Sequence, residues 1–337
     1  MQRAAPADQG QRERVRRLVT AAEGDPLAPF ALRLGKSYFW SSDGRAVLDY
    51  RVRLGTAVVA GDPVGDRDQF AALTGEFIAF AERHGWRVAV LAAGEQTRLL
   101  WAAHRFGALS IGRDVIVAVN DFSLKGPRFR NLRQAVQRTH NAGVTVSLHA
   151  EADIDQQLAA DLLQLRARCH KQDRGFSMLL GNLLDGTHPD ALIAVAEDRS
   201  GRRVAFQRYL RSGLDGLTLD LPVRDPTAPN GVDERVIIDV VGWAREHGLQ
   251  WVSLAFAPFA DLHETQHRTL GGWVGYHSLR LLDPWIRVGS LYQYLRKFDA
   301  MAGQRFVLLR WRQVVPVALA MLLLEFRSTP ARVRPRA

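Results

Sequence analysis

In the second half of this 337-residue sequence, two acids and a cation lie close together along the chain. Asp220 sits at the end of an apolar run that predicts a strand, which is where α/β proteins tend to build their sites. Arg224 follows four residues later, and Glu234 falls in the first turn of a helix predicted to begin at Gly231. A carboxylate there could bind an ammonium group or orient a nucleophile, and an arginine could hold a phosphate or a carbonyl oxygen. We therefore predict Asp220 and Arg224 as catalytic residues.

The start of the same helix supplies further candidates for substrate binding. Asn230 and Gly231 predict a tight turn with free backbone N–H groups, which favour anions. Glu234 is predicted to contact an amino group of a substrate. Each residue also has a structural interpretation, in which Asp220 caps a turn, Arg224 makes a surface ion pair and Glu234 complements the helix dipole. The pattern of residues leaves both interpretations open.

Two residues upstream complete the predicted site. His170 follows a predicted helix and is the obvious residue if the reaction needs a general base, although such a histidine is often only a surface residue. Ser177 lies in the segment Gly175-Phe176-Ser177-Met178. No Gly-x-Ser-x-Gly elbow surrounds it, so we predict a role in substrate binding and no acyl-enzyme.

A histidine pair further along the chain has the spacing of a zinc motif. His263-Glu264-Thr265-Gln266-His267 has the His-Glu-x-x-His order, and His277 is a conceivable third ligand. That motif requires a long amphipathic helix, whereas Gly271-Gly272 follows it closely here. We predict no metal and no other cofactor, and keep a zinc hydrolase as an alternative.

The most basic stretch of the chain joins the two halves of the sequence. It holds no acidic residue from Ser123 to Ala150. Phosphate binding, from tRNA or a lipid headgroup, and a solvated helix face are both compatible with this pattern. The predicted phosphate-binding residues are Lys125, Arg128, Arg130, Arg133 and Arg138.

Composition narrows the class of protein. Lys and Arg number 45 against 35 Asp and Glu, which gives a net charge of +10 and favours polyanionic partners; an arginine-rich codon bias would give the same excess. The single cysteine, Cys169, cannot form an internal disulfide and fits a reducing cytoplasm. The N-terminal residues lack the apolar core of a signal peptide. Phe306–Leu324 contains Arg310 and Arg312, so it predicts a strand and then a buried or surface-lying helix, with no transmembrane segment.

The elements that must position these residues alternate between strands and helices in two similar runs. The first run predicts strands at Ala46–Arg53 and Thr56–Ala60, followed by a helix that ends at Arg83 and a second helix at Glu95–Phe106. In the second run, a strand at Leu217–Leu221 precedes a helix at Gly231–His247. One face of that helix is apolar and consists of Val232, Val236, Ile237, Val240, Val241 and Ala244. The two runs predict an α/β protein with two related lobes.

Several segments, taken in order, resemble the C-terminal catalytic domain of the phosphatidylglycerol lysyltransferases, the lysyl- and alanyl-phosphatidylglycerol synthase family. The resemblance covers nearly the whole chain. The segments that carry it are Lys36-Ser37-Tyr38-Phe39, Ser42-Asp43-Gly44-Arg45, Gly61-Asp62-Pro63-Val64-Gly65, Asn131-Leu132-Arg133-Gln134-Ala135, Gly175-Phe176-Ser177-Met178, Asp220-Leu221, Arg224-Asp225-Pro226, Asn230-Gly231-Val232, Leu291-Tyr292, Lys297-Phe298 and Arg305-Phe306.

The resemblance implies tandem GNAT-like acyltransferase folds, two lobes with mixed sheets flanked by helices. The implied ranges are a basic tail or helix at 1–24, lobes at 25–122 and 144–311 separated by the connector at 123–143, and a C-terminal helix and tail at 312–337. It also implies that Lys297 and Arg305 bind donor or acceptor phosphate. A cationic cleft between the lobes is expected to hold the donor beside Asp220.

The implied activity is transfer of an aminoacyl group, lysyl or similar, from aminoacyl-tRNA to the glycerol hydroxyl of phosphatidylglycerol. A peripheral protein at the cytoplasmic face of the membrane is expected. One position departs from the family pattern, since the usual Asp-Leu-Met-Arg-Arg reads Asp220-Leu221-Pro222-Val223-Arg224 here. Either Arg224 replaces the missing arginine by a local shift, or the donor or acceptor differs. A small hydroxyl or hydroxylamine acceptor and a non-catalytic tRNA- or membrane-binding module therefore stay as alternatives.

Overall fold

The structure is a computed structural model that describes residues 7–22, 24–169, 183–258 and 294–326. Seven α-helices lie within these ranges. They are α1 (Gln9–Ala21), α2 (Phe70–Arg83), α3 (Glu95–Ala102), α4 (Arg130–Asn141), α5 (Gln156–Arg168), α6 (Val232–Glu246) and α7 (Val314–Phe326). A short 3₁₀ helix at Ala28–Leu32 follows α1.

Within the same ranges, twelve strands form one mixed sheet. They are β1 (Ser37–Trp40), β2 (Ala46–Arg53), β3 (Thr56–Ala60), β4 (Val64–Gly65), β5 (Arg87–Ala93), β6 (Gly107–Ala118), β7 (Thr145–Ala150), β8 (Leu192–Glu197), β9 (Arg203–Ser212), β10 (Gly216–Arg224), β11 (Trp251–Pro258) and β12 (Met301–Leu309). The order across the sheet is β1-β2-β3-β5-β12-β6-β11-β10-β9-β8-β7, and β4 pairs with β2.

The two halves of the sheet repeat one arrangement. β3 and β5 are parallel with α2 between them in sequence, and β10 and β11 are parallel with α6 between them. The other strand pairs are antiparallel. This confirms the predicted α/β class with two related halves, mixed strand pairing and flanking helices. The strands of the two halves join edge to edge, because β12 pairs with both β5 and β6 and β6 pairs with β11.

Helices cover both faces of the sheet. We call the face covered by α2, α3, α4 and α6 the α6 face, and the face covered by α1, Ala28–Leu32, α5 and α7 the α5 face. Alternation along β9 shows the division: Tyr209 packs in the core beneath α6, whereas Phe206 packs with α5 residues and Leu210 with Phe30. A strand buried on both sides must be largely apolar, as β8 is.

Helix α6 confirms the predicted apolar stripe. The residues predicted for it are buried, and they recur at the three- and four-residue spacing that keeps them on one side of a helix. Other predicted elements differ at their ends. The helix predicted at Glu95–Phe106 ends at Ala102, before Arg105, whose φ of 65° is incompatible with a continuing helix.

The strands β10 and β11 separate at one end, and this separation positions the candidate site. They pair only from Gly216 to Thr218, although β10 continues to Arg224. The register between β10 and β9 shifts between Leu219 and Leu221, which leaves Asp220 as the extra residue of a β-bulge.

Candidate functional site

Asp220 lies in a buried ionic cluster of three residues, which we call the Asp220 cluster. Arg208 on β9 donates from Nη1 to Asp220 Oδ2 over 2.6 Å. The same guanidinium pairs with Glu151, including a 3.1 Å hydrogen bond from Nη2 to Oε1. Arg208 is fully buried, and Asp220 is 2% exposed. A charge this deep is tolerated when it is paired and hydrogen-bonded, so the two carboxylates fix the position of Arg208 and Arg208 fixes theirs.

The surroundings of the Asp220 cluster are strongly desolvated. Burial, aided by the charges of Arg208 and Arg16, lowers the pKa of His188 to about 3, so this imidazole is neutral near pH 7. Burial also raises the pKa of Glu151, against the pairing with Arg208. Next to His188, α1 and the β9–β10 turn border a cavity of about 200 Å³.

A second buried group surrounds Arg305 and contains Asp25, Asp62 and Asp114; we call it the Arg305 cluster. Arg305 donates to Asp114 Oδ2 over 2.7 Å, to Asp25 Oδ1 over 2.9 Å and to Asp62 Oδ2 over 3.4 Å. Burial, with the charge of Asp25, raises the pKa of Asp62 to about 6. Arg305 is 4% exposed and faces three carboxylates. This argues against its predicted role in binding a substrate phosphate, because its charge is already compensated.

The Asp220 and Arg305 clusters lie on the same face and at the same end of the sheet. Thr218, two residues before Asp220, donates to the carbonyl of Pro26, the residue next to Asp25. On β11, Thr218 pairs with Ser253, and Asp114 of β6 pairs with Phe256, three residues further along the same strand. Both clusters therefore lie on the α5 face, beside the end at which β10 and β11 separate.

A third group forms at the start of α6, on the α6 face; we call it the Lys297 cluster. Lys297 Nζ donates to Glu234 Oε1 over 2.8 Å, and Arg224 donates to Asn230 Oδ1 over 3.2 Å. Its remaining members are Asp233, which lies 3.6 Å from Arg224, and Tyr294. The Tyr294 hydroxyl is buried without a hydrogen-bond partner among the residues described, and burial raises its pKa. The structure thus brings together four of the predicted site residues, Arg224, Asn230, Glu234 and Lys297.

The structure does not bring together Asp220 and Arg224, both predicted as catalytic. Asp220 and Leu221 both contact the α5 face, because the bulge interrupts the alternation of the strand. Arg224 consequently points to the α6 face. Val223, at the usual arginine position, is buried in the core that contains Leu162 and packs beneath α5. A local shift that puts Arg224 in its place is not observed.

The basic connector folds as α4 and packs on the α6 face. Gly231 has a φ of 99°, and a Cβ there would lie 2.8 Å from Ala135 Cβ, so α4 and α6 are in close contact. All five predicted phosphate-binding cations are exposed. Two of them have local partners, since Arg128 pairs with Asp299 and Arg133 donates to backbone carbonyls of the preceding loop. The other three have no ion-pair partner in the described part of the chain; they are Lys125, Arg130 and Arg138.

This placement corrects the expectation of one cationic cleft that holds Asp220. The exposed cations of α4 and the Asp220 cluster are separated by the thickness of the sheet, because α4 covers the α6 face and Asp220 points to the other.

Several predicted residues lie outside the described ranges. They are His170, Ser177, His263, Glu264, His267 and His277. Within the described ranges, no three His, Cys, Asp or Glu side chains are placed to hold a metal ion.

Sequence reasoning missed five residues of the two α5-face clusters, namely Asp25, Asp62, Asp114, Glu151 and Arg208. The signal for two of them was present, because Arg208 and Asp114 interrupt or border runs of apolar residues that predict buried strands. A charge inside such a run must have a partner, although the sequence does not name it.

The architecture of the chain matches that of lysylphosphatidylglycerol synthetase domains. An L-PGS structure from Bacillus licheniformis superposes with a TM-score of 0.81 at 21% identity and covers 94% of this chain and 97% of that one. The C-terminal domain of a putative lysylphosphatidylglycerol synthetase from Agrobacterium fabrum gives 0.82 at 20% identity and covers 96% and 99%. At these identities the likeness concerns the fold.

The sequence profile of the family "Phosphatidylglycerol lysyltransferase, C-terminal" matches residues 16–309, so the chain belongs to this family. An MprF-like domain protein of Mycobacterium tuberculosis is 43% identical over 322 residues, which are 93% of this chain and 66% of that protein. A lysylphosphatidylglycerol biosynthesis bifunctional protein, LysX, of Mycobacterium avium is 32% identical over 313 residues, or 90% of this chain and 26% of that protein. The chain therefore spans less than two thirds of either relative. None of the described helices combines the length and apolar character needed to cross a bilayer.

Proposed function

We propose that this chain transfers an aminoacyl group, lysyl or similar, from aminoacyl-tRNA to the glycerol hydroxyl of phosphatidylglycerol. The observation that carries the proposal is the family match, which includes every residue of the three clusters. The relatives named for lysylphosphatidylglycerol biosynthesis support the lipid acceptor.

The reaction is an ester exchange that this arrangement of charges suits. The acceptor hydroxyl oxygen attacks the ester carbonyl carbon, the bond from that carbon to the tRNA ribose oxygen breaks, and the hydroxyl proton ends on the released oxygen. No oxidation or reduction occurs, and the ester already supplies the activation. Holding the two reactants in contact is the main task of the protein.

The α5-face clusters favour a cationic group as ligand. Between them, they hold five carboxylates, from Asp25, Asp62, Asp114, Glu151 and Asp220, against the two guanidinium groups of Arg208 and Arg305. An aminoacyl group carries at least one ammonium, which such an acidic site attracts. We assign to Asp220 the binding of this ammonium or the orientation of the acceptor hydroxyl.

The α6 face suits the nucleic acid donor. The exposed cations of α4 lie on this face, and the Lys297 cluster lies at the start of the adjacent α6. Neutralising phosphates with such side chains releases counterions and gives salt-dependent binding. In this proposal, the donor reaches the Asp220 cluster where β10 and β11 separate, and the lipid approaches from the α5 face at the membrane surface.

A transfer assay tests the proposal. The chain is incubated with a panel of radiolabelled aminoacyl-tRNAs and phosphatidylglycerol vesicles, and we expect label in the lipid fraction. Asp220→Asn, which removes the charge at constant shape, is expected to reduce transfer about 100-fold or more. Asp215→Asn, in the half-exposed β9–β10 turn, is the matched control and should transfer normally.

The assay also separates the alternative functions. Label in a small-molecule fraction, after addition of cell extract, would assign a hydroxyl or hydroxylamine metabolite as acceptor. Retained tRNA binding without any transfer would support a non-catalytic module. Equal transfer by Asp220→Asn and the parent chain would remove Asp220 from the site.

A further inference from the structure

Helix α7 covers the sheet with only one of its two apolar sides. Its thirteen residues include a single charged residue, Glu325 in the last turn. Val317 and Ala320 are fully buried, and they pack on the core of the α5 face with Met321 and Leu324. Packing of this inner side explains why α7 lies on the sheet. It does not explain why the outer side is also apolar.

The outer side of α7 exposes large apolar side chains. Val315 is 78% exposed, Leu319 50% and Leu322 42%, and their spacing of four and three residues places them in one stripe along the helix. Trp311 just before the helix is 61% exposed, and Leu109, on the same face of the sheet, is 48% exposed. Proteins that act alone in water rarely leave a continuous apolar surface of this kind, and such surfaces mark interaction sites.

The charges beside the stripe indicate which partner it fits. Arg312 precedes α7 and is exposed, whereas Arg310 pairs with Glu82 of α2 on the other face of the sheet. The sequence that follows α7, residues 327–337, contains four arginines and no acidic residue. Apolar side chains and an indole flanked by arginines are the combination that binds the headgroup region of an anionic bilayer.

We propose that the outer side of α7 docks the chain on an anionic membrane surface. The side chains that enter the headgroup region are Trp311, Val315, Leu319 and Leu322. Docking there turns the α5 face, with the Asp220 and Arg305 clusters, toward the bilayer and leaves the cations of α4 on the opposite face. The docking itself does not require the transfer reaction; it rests on the proposed function only for the lipid that the site uses.

Vesicle sedimentation tests the docking. The chain is mixed with vesicles of phosphatidylcholine alone or with about 30% phosphatidylglycerol, and we expect it to sediment with the anionic vesicles. Leu319→Ser with Leu322→Ser is expected to weaken this binding at least tenfold. Leu99→Ser is the control, because Leu99 is 63% exposed on α3, which covers the opposite face of the sheet. Thermal melting establishes that both variants are folded.

A fluorescent label locates the contact independently. The only natural cysteine, Cys169, is buried, so a dye sensitive to polarity reacts selectively at Leu319→Cys or at the control Leu99→Cys. We expect a blue shift of the dye at position 319, and none at position 99, when anionic vesicles are added.

Three results would overturn the docking. The first is equal vesicle binding by the α7 variant and the parent chain. The second is an equal loss of vesicle binding in the control variant. The third is a blue shift of the dye at position 319 that neutral vesicles produce as well. A change from dimer to monomer in the α7 variant, with vesicle binding unchanged, would assign the stripe to a second copy of the chain. Vesicle binding through α7 without any transfer would leave the docking intact and remove the proposed function.

Discussion

At the scale of single residues, the candidate site consists of charges that the fold has removed from water. Arg208 and Arg305 are each surrounded by carboxylates and stay charged because of them. Burial of these groups, with the neighbouring charge of Asp25, has a cost that is visible as the raised pKa of Asp62. Two residues predicted from sequence, Asp220 and Arg305, lie inside such clusters. The surrounding carboxylates argue against phosphate binding by Arg305, whereas they are compatible with a cationic ligand at Asp220.

The pKa of Asp62, about 6, predicts a pH dependence of stability. An aspartate in an unfolded chain titrates near 4, so between about pH 4 and 6 the folded state binds the additional proton and stability falls as the pH rises. Asp62→Asn cannot ionise and should lack this fall. Its free energy of unfolding relative to the parent chain should rise by about 2 kcal/mol from about pH 4.5 to 7.5, as measured by urea unfolding.

An exposed aspartate serves as the comparison for this measurement. Hydrogen bonds from Arg45 and Ser41 lower the pKa of Asp43 to about 2, below the range tested. Asp43→Asn should therefore differ from the parent chain by the same amount at both pH values. A flat difference for Asp62→Asn as well would show that Asp62 does not titrate in this range.

At the scale of elements, the packing of α4 on α6 depends on a glycine. Gly231 has a left-handed backbone and lies against Ala135, so any side chain there is strained and also meets α4. Gly231→Ala should lower the free energy of unfolding by about 1 to 3 kcal/mol. Gly242→Ala, within α6 and with open space around it, should leave stability unchanged or raise it by up to about 1 kcal/mol. Equal effects of the two changes would mean that the close approach of α4 is not required.

The elements were more predictable than the site, for a physical reason. Apolar periodicity fixes strands and helices locally, and β2, β3 and α6 agree with the pattern almost to the residue. In a regular strand with the bounds of β10, Asp220 and Arg224 would lie on one side, since they are four residues apart and strand side chains alternate. A single inserted residue, the bulge at Asp220, reverses that alternation. Nothing in the local sequence marks the bulge, and partners such as Glu151 and Arg208 depend on which strands become neighbours.

At the scale of the whole molecule, the proposal assigns the two polyanionic partners to opposite faces of the sheet, with tRNA on the α6 face and the anionic membrane on the α5 face. Because α4 and α7 lie on different sides of the sheet, tRNA and vesicles should bind together without competition. We expect labelled tRNA to sediment with anionic vesicles only when the chain is present.

Variants on each face separate the two binding surfaces. Arg130→Ser with Arg138→Ser should weaken tRNA binding while vesicle binding persists. The slope of tRNA affinity against salt should fall by about one for each phosphate that is no longer neutralised. Leu319→Ser with Leu322→Ser should do the reverse. Competition between tRNA and vesicles for the parent chain would show that both use one face.

The position of β12 has a consequence for how the molecule is made. β5 and β6 are consecutive strands along the chain, yet they do not pair, because β12, the last strand in the described part of the sequence, lies between them. During synthesis, one edge of β5 and one edge of β6 stay unpaired until residues 301–309 have been made. A cut at the connector would therefore not release the N-terminal half as a complete unit, because that fragment would lack β12.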